Sequence, residues 1–156
     1  MVLAKGGTLS VIRVVVNGAT GRMGKETLDA ICREEDLEAV GAVCHRDRGD
    51  LLKLSDGSDI PLSTDLESIL IMTAPSVVID FTNAATCMAS VPTIAKNSIN
   101  MVLGASGLTD ENLEFLGQEA IKSSIGIVVA PNFALGAVIL KKLAEQAAPF
   151  FDYLDI

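Results

Sequence analysis

The stretch "VVVNGATGRMGKETLDAI", residues 14–31, sets glycine at positions 18, 21 and 24 directly after a run of valines. Helix interiors disfavour glycine, so the spacing needs a backbone reason. A strand ending at Val16, a tight turn and a helix beginning near Gly21 aim N–H groups and a dipole's positive end at one point. That is the geometry of a phosphate site. Gly18 would let the chain turn sharply and Gly21 would admit a diphosphate with no Cβ in its way. Gly24 would let the helix press against the sheet. The spacing is G-x-x-G-x-x-G rather than G-x-G-x-x-G, and turning and packing alone are the competing use of these glycines.

Outward from this turn, strand-like and helix-like segments alternate. Residues 11–16 read as a strand and 22–33 as a helix, with Met23, Thr27 and Ile31 on one stripe. A second strand covers 37–43. The polar, Gly- and Pro-containing run 44–65 reads as a long loop, followed by a short helix over 65–72. A strand over 76–80 runs into "FTNAAT", where Thr82 is the expected helix cap. Pro92 predicts a kinked or split helix. Residues 100–103 form a strand, Thr109 caps a helix, 125–129 form a strand, and 137–147 a helix stopped by Pro149. A last strand begins near 153. This alternation predicts an α/β, Rossmann-type doubly wound parallel sheet in a single domain over residues 11–152. Residues 1–10 read as a leader and 153–156 as the start of a further C-terminal domain.

Composition narrows the function classes. The chain has 156 residues, 49% of them hydrophobic, yet no apolar run nears the ~20 residues of a membrane helix. The apolar runs suit parallel strands buried on both faces. A net charge of -8 argues against nucleic acid as a partner. Cys32, Cys44 and Cys87 are widely spaced, so free thiols in a reducing compartment are expected. With no secretory signal in the leader, that places the protein in the cytoplasm or a plastid-like stroma. No metal-ligand cluster is evident.

If the glycine turn holds a dinucleotide, the end of the second strand faces its ribose. An acid there selects NAD, whereas an arginine accepts a 2′-phosphate. The chain offers Cys44, His45, Arg46, Asp47 and Arg48, which favours NADPH, with NADH left open by Asp47. Three later strand ends are small or polar, at 80–83, 104–107 and 130–136. They would form the nicotinamide end of the cleft, Ser106 offering a hydroxyl, Asn132 an amide, and Phe81 or Phe133 an apolar wall. Turn formation and core packing compete for each of these residues. Asp80 is expected to anchor its loop through hydrogen bonds.

The pieces "VNGATGRMG" (16–24), "VVIDFT" (77–82), "VLGASGL" (102–108) and "APNFALG" (130–136) resemble the 4-hydroxy-tetrahydrodipicolinate (dihydrodipicolinate) reductase family, in its N-terminal nucleotide-binding domain. Within it, the cyanobacterial type looks nearest. The resemblance implies that Gly18, Ala19, Thr20, Gly21, Arg22, Met23 and Gly24 hold the dinucleotide phosphates. It places His45 and Arg46 at the adenine ribose, with His45 where the family often has an acid. Gly104, Ala105 and Ser106 fall beside the nicotinamide and substrate, and Ala130, Pro131, Asn132 and Phe133 in the last cofactor segment. It implies a nicotinamide-dependent oxidoreductase of lysine biosynthesis through diaminopimelate. The His/Lys motif that serves catalysis in the family is expected beyond Ile156, leaving no catalytic residue here. A stand-alone nucleotide-binding or regulatory module is the alternative, as a homo-oligomer or with a completing polypeptide. A short-chain reductase is disfavoured, because Tyr153 has no lysine four positions on.

Overall fold

Val14 and Val16 pack into one hydrophobic cluster and Val15 into another, because alternate side chains of a strand point to opposite faces. The computed structural model describes residues 10–130 and 135–150. Expectations placed on 1–9, on Pro131, Asn132 and Phe133, and on 153–156 lie outside the described residues. Strand β1 (Ile12–Asn17) is followed by α1 (Arg22–Ile31), β2 (Leu37–Val43), β3 (Leu51–Lys53), β4 (Asp59–Ser63) and α2 (Leu66–Thr73). Then come β5 (Val77–Asp80), α3 (Ala84–Lys96), β6 (Asn100–Leu103), α4 (Asp110–Ser123), β7 (Ile127–Val129) and α5 (Leu135–Ala147).

The sheet order is β3-β4-β2-β1-β5-β6-β7. Every pairing is parallel except the antiparallel β3–β4 hairpin. Without that hairpin's outer strand, this is the doubly wound Rossmann order, which reverses direction at β1. Ile69 and Leu70 of α2, Cys87, Val91 and Ile94 of α3 and Leu116 of α4 fill the cluster around Val15 and Val78. Leu28 and Ile31 of α1, with Ile60 and Leu62 of β4, fill the cluster around Val14 and Val16. Among the described residues, no helix is long and apolar enough to cross a membrane.

Four local readings change. The predicted loop 44–65 contains β3 and β4, whose signal is confined to the buried pair Ile60 and Leu62 around Pro61. Proline is tolerated there because the ladder to β2 begins only at Leu62, opposite Ala42. Pro92 does not split α3. Pro92 itself is exposed, and Cys87, Val91, Ile94 and Ala95 tie both halves of the helix to the core. The cap of α3 is Asn83, whose side chain accepts from the Thr86 N–H at 3.0 Å; the Thr82 hydroxyl is already committed to Asp80 at 2.6 Å. Finally, the buried stripe of α1 is Gly24, Leu28 and Ile31, rotated from Met23, Thr27 and Ile31 because Gly24 must face inward.

Candidate functional site

Gly18 follows β1 with φ +80, a conformation that side chains with a Cβ rarely adopt. Its N–H and that of Ala19 both donate to the Val43 carbonyl at 3.0 Å, fastening the turn to the end of β2. The Gly21 N–H donates to the Gly18 carbonyl at 3.0 Å, closing the turn. A Cβ on Gly24 would stand 2.3 Å from the Gly18 oxygen and 2.7 Å from the Ala19 Cα. The helix therefore presses against the turn itself rather than against the sheet.

The first bond of α1 runs from the Lys25 N–H to the Gly21 carbonyl. The N–H groups of Arg22, Met23 and Gly24 lie ahead of it and have no acceptor inside the helix. Gly21, the N-cap, supplies no side-chain bond, and no acid stands in the first turn. The neighbouring helices differ. Asp65 caps α2 through the Ser68 N–H, and Asn83 caps α3 through the Thr86 N–H. Of these three helix ends, only that of α1 is left open to an external anion.

The end of α1 opens into a cavity of about 400 Å³ at the carboxyl ends of β1, β2, β4 and β5. Gly18, Thr20 and Gly21 line it from the glycine turn, and Cys44 and His45 form its wall after β2. Thr64 and Leu66 close it from β4 and α2; Phe81, Thr82, Thr86 and Ser90 close it from β5 and α3. This is the crevice in which open α/β sheets bind ligands.

Beside it, Arg48, Asp47 and Gly49 line a smaller pocket of about 110 Å³ that shares Cys44 and Thr64. The Asp47 carboxylate accepts from the Gly49 N–H at 3.0 Å, so it serves its own turn. Arg46 is exposed, and its carbonyl accepts from the Cys44 thiol at 2.9 Å.

The remaining predicted residues fall on adjacent strand ends. The Phe81 N–H donates to Asn17, that of Gly104 to Asp80 and that of Ala130 to Leu103, at 2.9, 2.8 and 2.9 Å. These bonds lace the ends of β1, β5, β6 and β7 into one rim. Ala105 points into the core, whereas Ser106 is exposed in the loop after β6; neither lines the cavity. Arg22 is exposed, and Met23 lines an apolar groove with Thr27, Ile31 and Ile79 on the other side of α1. Sequence reasoning had no signal for Thr64, Leu66, Thr86 or Ser90, which only the topology brings to the cavity.

Asp80 is fully buried and anchors its loop as expected. One carboxylate oxygen accepts the Thr82 N–H at 2.8 Å and the Thr82 hydroxyl at 2.6 Å. The other accepts from the Asn17 amide at 2.7 Å. Cys87 is also fully buried; burial, and then the charge of Asp80, push its thiol up to about 12. At pH 8 that thiol stays protonated and inert. Treating the native protein with a thiol reagent at pH 8 is expected to modify Cys32, the partly exposed cysteine, and to spare the buried Cys44 and Cys87 until the chain is unfolded. Prompt modification of two or more thiols would contradict this. Among the described residues, no group of three or more His, Cys, Asp or Glu side chains is placed to hold a metal ion.

Comparison with known proteins agrees with this architecture. Residues 12–133 match the family model for the N-terminus of dihydrodipicolinate reductase. A 4-hydroxy-tetrahydrodipicolinate reductase of Dehalococcoides mccartyi (strain ATCC BAA-2266 / KCTC 15142 / 195) is 45% identical over 149 residues, covering 95% of this chain and 57% of its own length. The enzyme of the same name from Synechocystis sp. is 34% identical, over 94% of this chain and 56% of its own. The expected leaning toward the cyanobacterial type is therefore not upheld. Dipicolinate-bound dihydrodipicolinate reductase from Paenisporosarcina sp. TG-14 superposes with a TM-score of 0.74 at 33% identity, covering 90% of this chain and 55% of that one. The chain thus spans a little over half the length of the curated relatives it matches.

Proposed function

The chain belongs to the dihydrodipicolinate reductase family, and from that premise we propose that it is the nucleotide-binding half of a 4-hydroxy-tetrahydrodipicolinate reductase. The observation that carries the reading is the open N-terminus of α1, capped by glycine and facing the cavity at the sheet's switch point. Residues 18–24 form the diphosphate turn, in which the N–H groups of Arg22, Met23 and Gly24 donate to the phosphates while those of Gly18, Ala19 and Gly21 hold the turn itself. His45 and Arg46 meet the adenine ribose. NADPH is the preferred nucleotide and NADH the second, because Asp47 is engaged in its own turn and no acid stands at the end of β2.

A bound nicotinamide nucleotide supplies the hydride that reduces the dehydrated ring of 4-hydroxy-tetrahydrodipicolinate to tetrahydrodipicolinate. The residues of this chain bind and orient. Gly104, Ala105 and Ser106, laced to the end of β5, carry the rim toward the nicotinamide, and Ser106 offers the substrate a hydroxyl. Ala130 extends that rim after β7, and the family resemblance assigns Pro131, Asn132 and Phe133 to the same cofactor segment. Asp80 has its three donors and is not a proton source; His45 stands at the ribose end. Val138, Ile139, Leu140 and Leu143 of α5 are exposed, an apolar face suited to a second copy or a completing polypeptide.

Titration of the 156-residue chain with NADPH and NADH, followed by nucleotide fluorescence, tests the reading. NADPH is expected to bind more tightly. Arg46→Ala should weaken NADPH by about 3- to 10-fold through loss of a partly solvated charge contact, with NADH nearly unchanged. Binding of neither nucleotide would refute the proposal.

A further inference from the structure

We infer that Asp80, which lies behind the cavity wall, is a positioning residue for the dinucleotide; the inference rests on the nucleotide-binding reading above. Asp80 ends β5 directly opposite Asn17, which ends β1. These are the two strands that flank the switch point. Asp80 does not line the cavity, but the groups it holds do: Asn17 and Thr82 are its direct partners, and Ser90 stands 3.4 Å from the same Asn17 amide. The backbone between the partners completes the clamp. The Phe81 N–H donates to the Asn17 carbonyl at 2.9 Å, and the Phe81 oxygen lies 2.9 Å from where a Cβ on Gly18 would stand. Holding 80–82 against 17–18 therefore sets where the glycine turn begins.

The residue type supports a positional role. Three donors converge on this side chain, two on one oxygen and one on the other. A carboxylate accepts them all, whereas an amide has one acceptor oxygen and would turn its own NH₂ toward that of Asn17. Among the described residues, no cation pairs with Asp80. Burying a carboxylate without a cation is costly, and a simple loop staple could be made by asparagine or serine. The cost is explained if the placement of the turn depends on all three bonds.

The experiment compares NADPH dissociation constants and melting temperatures in the 156-residue chain. Asp80→Asn is expected to weaken NADPH by about tenfold or more, the effect of one lost charge-assisted hydrogen bond. Ile94→Val, a core change away from the cavity, lowers the melting temperature and leaves the dissociation constant unchanged. The reciprocal variant Asn17→Asp with Asp80→Asn rebuilds the pairing and should bring binding back to within about threefold of the unaltered chain. If Asp80→Asn does not fold, Thr82→Val takes its place and is expected to weaken NADPH by about threefold or more, with Thr82→Ser nearly unchanged. The inference is overturned if the Asp80 and Thr82 variants bind as the unaltered chain does, or if their losses merely follow melting temperature as in Ile94→Val. Failure of the nucleotide reading itself shows separately, as absent binding in the unaltered chain.

Discussion

Gly24→Ala is expected to weaken NADPH binding by about 10- to 100-fold, the equivalent of one or two charge-assisted hydrogen bonds to phosphate. The added Cβ would sit 2.3 Å from the Gly18 oxygen and 2.8 Å from the Ala19 carbonyl carbon. Both belong to backbone, so no side-chain rotation relieves the contact. The first turn of α1 must retreat by about 1 Å, and overpacking of this kind costs roughly 1–3 kcal/mol in stability. The retreat also withdraws the N–H groups of Arg22, Met23 and Gly24 from the point at which they converge. Gly117→Ala provides the opposite case. It lies inside α4, and a Cβ there would have nothing within 4 Å. Alanine at that position should stabilise the fold by about 0.5–1 kcal/mol while leaving nucleotide affinity alone. Calorimetric titration with NADPH beside urea denaturation reads both quantities. Unchanged affinity in Gly24→Ala would mean that the helix end is not the phosphate receptor.

The contrast between these two glycines shows what a sequence can and cannot disclose. Gly24 was legible because its neighbours at 18 and 21 follow a strand, and a local pattern of that kind carries its own geometry. The alternation of strands and helices was legible for the same reason: "RVVVN" and "SVVID" are apolar on both faces, and Thr109 begins α4 with a capping box. Strand β4 was hidden because only Ile60 and Leu62 mark it, with a proline between them that normally argues against a strand. Thr82 was misread as a cap because its hydroxyl has two possible uses, and the choice is made by a carboxylate that folding brings to it. The Asn17–Asp80 contact spans 63 positions. Thr64, Thr86 and Ser90 reach the cavity from different parts of the chain, and nothing in their own neighbourhoods announces it. Backbone features of the site were readable locally; the side chains around it depend on strand order.

Ile69→Ala should be the most destabilising of these substitutions, yet it should leave the nucleotide site whole. Ile69 is 1% exposed, and its Cγ2 lies 2.9 Å from where a Cβ on Gly41 would stand, so α2 sits directly on β2. Truncating the side chain at such a position costs about 2–5 kcal/mol, because the cavity left behind collapses only in part. For a chain of this size, a loss near 3 kcal/mol lowers the melting temperature by about 6–12 °C. The glycine turn is on the opposite face, packed through Ala19 and Leu28, and should keep its geometry. Nucleotide at about a hundred times its dissociation constant adds about 2.7 kcal/mol to a folded state with an intact site. The increment from NADPH is therefore expected to be the same in Ile69→Ala as in the unaltered chain, and to be much reduced in Gly24→Ala at the same concentration. Differential scanning calorimetry with and without NADPH makes the comparison. Were the increment lost in Ile69→Ala as well, the two faces of the sheet would not be independent, and the nucleotide would depend on the whole core rather than on one turn.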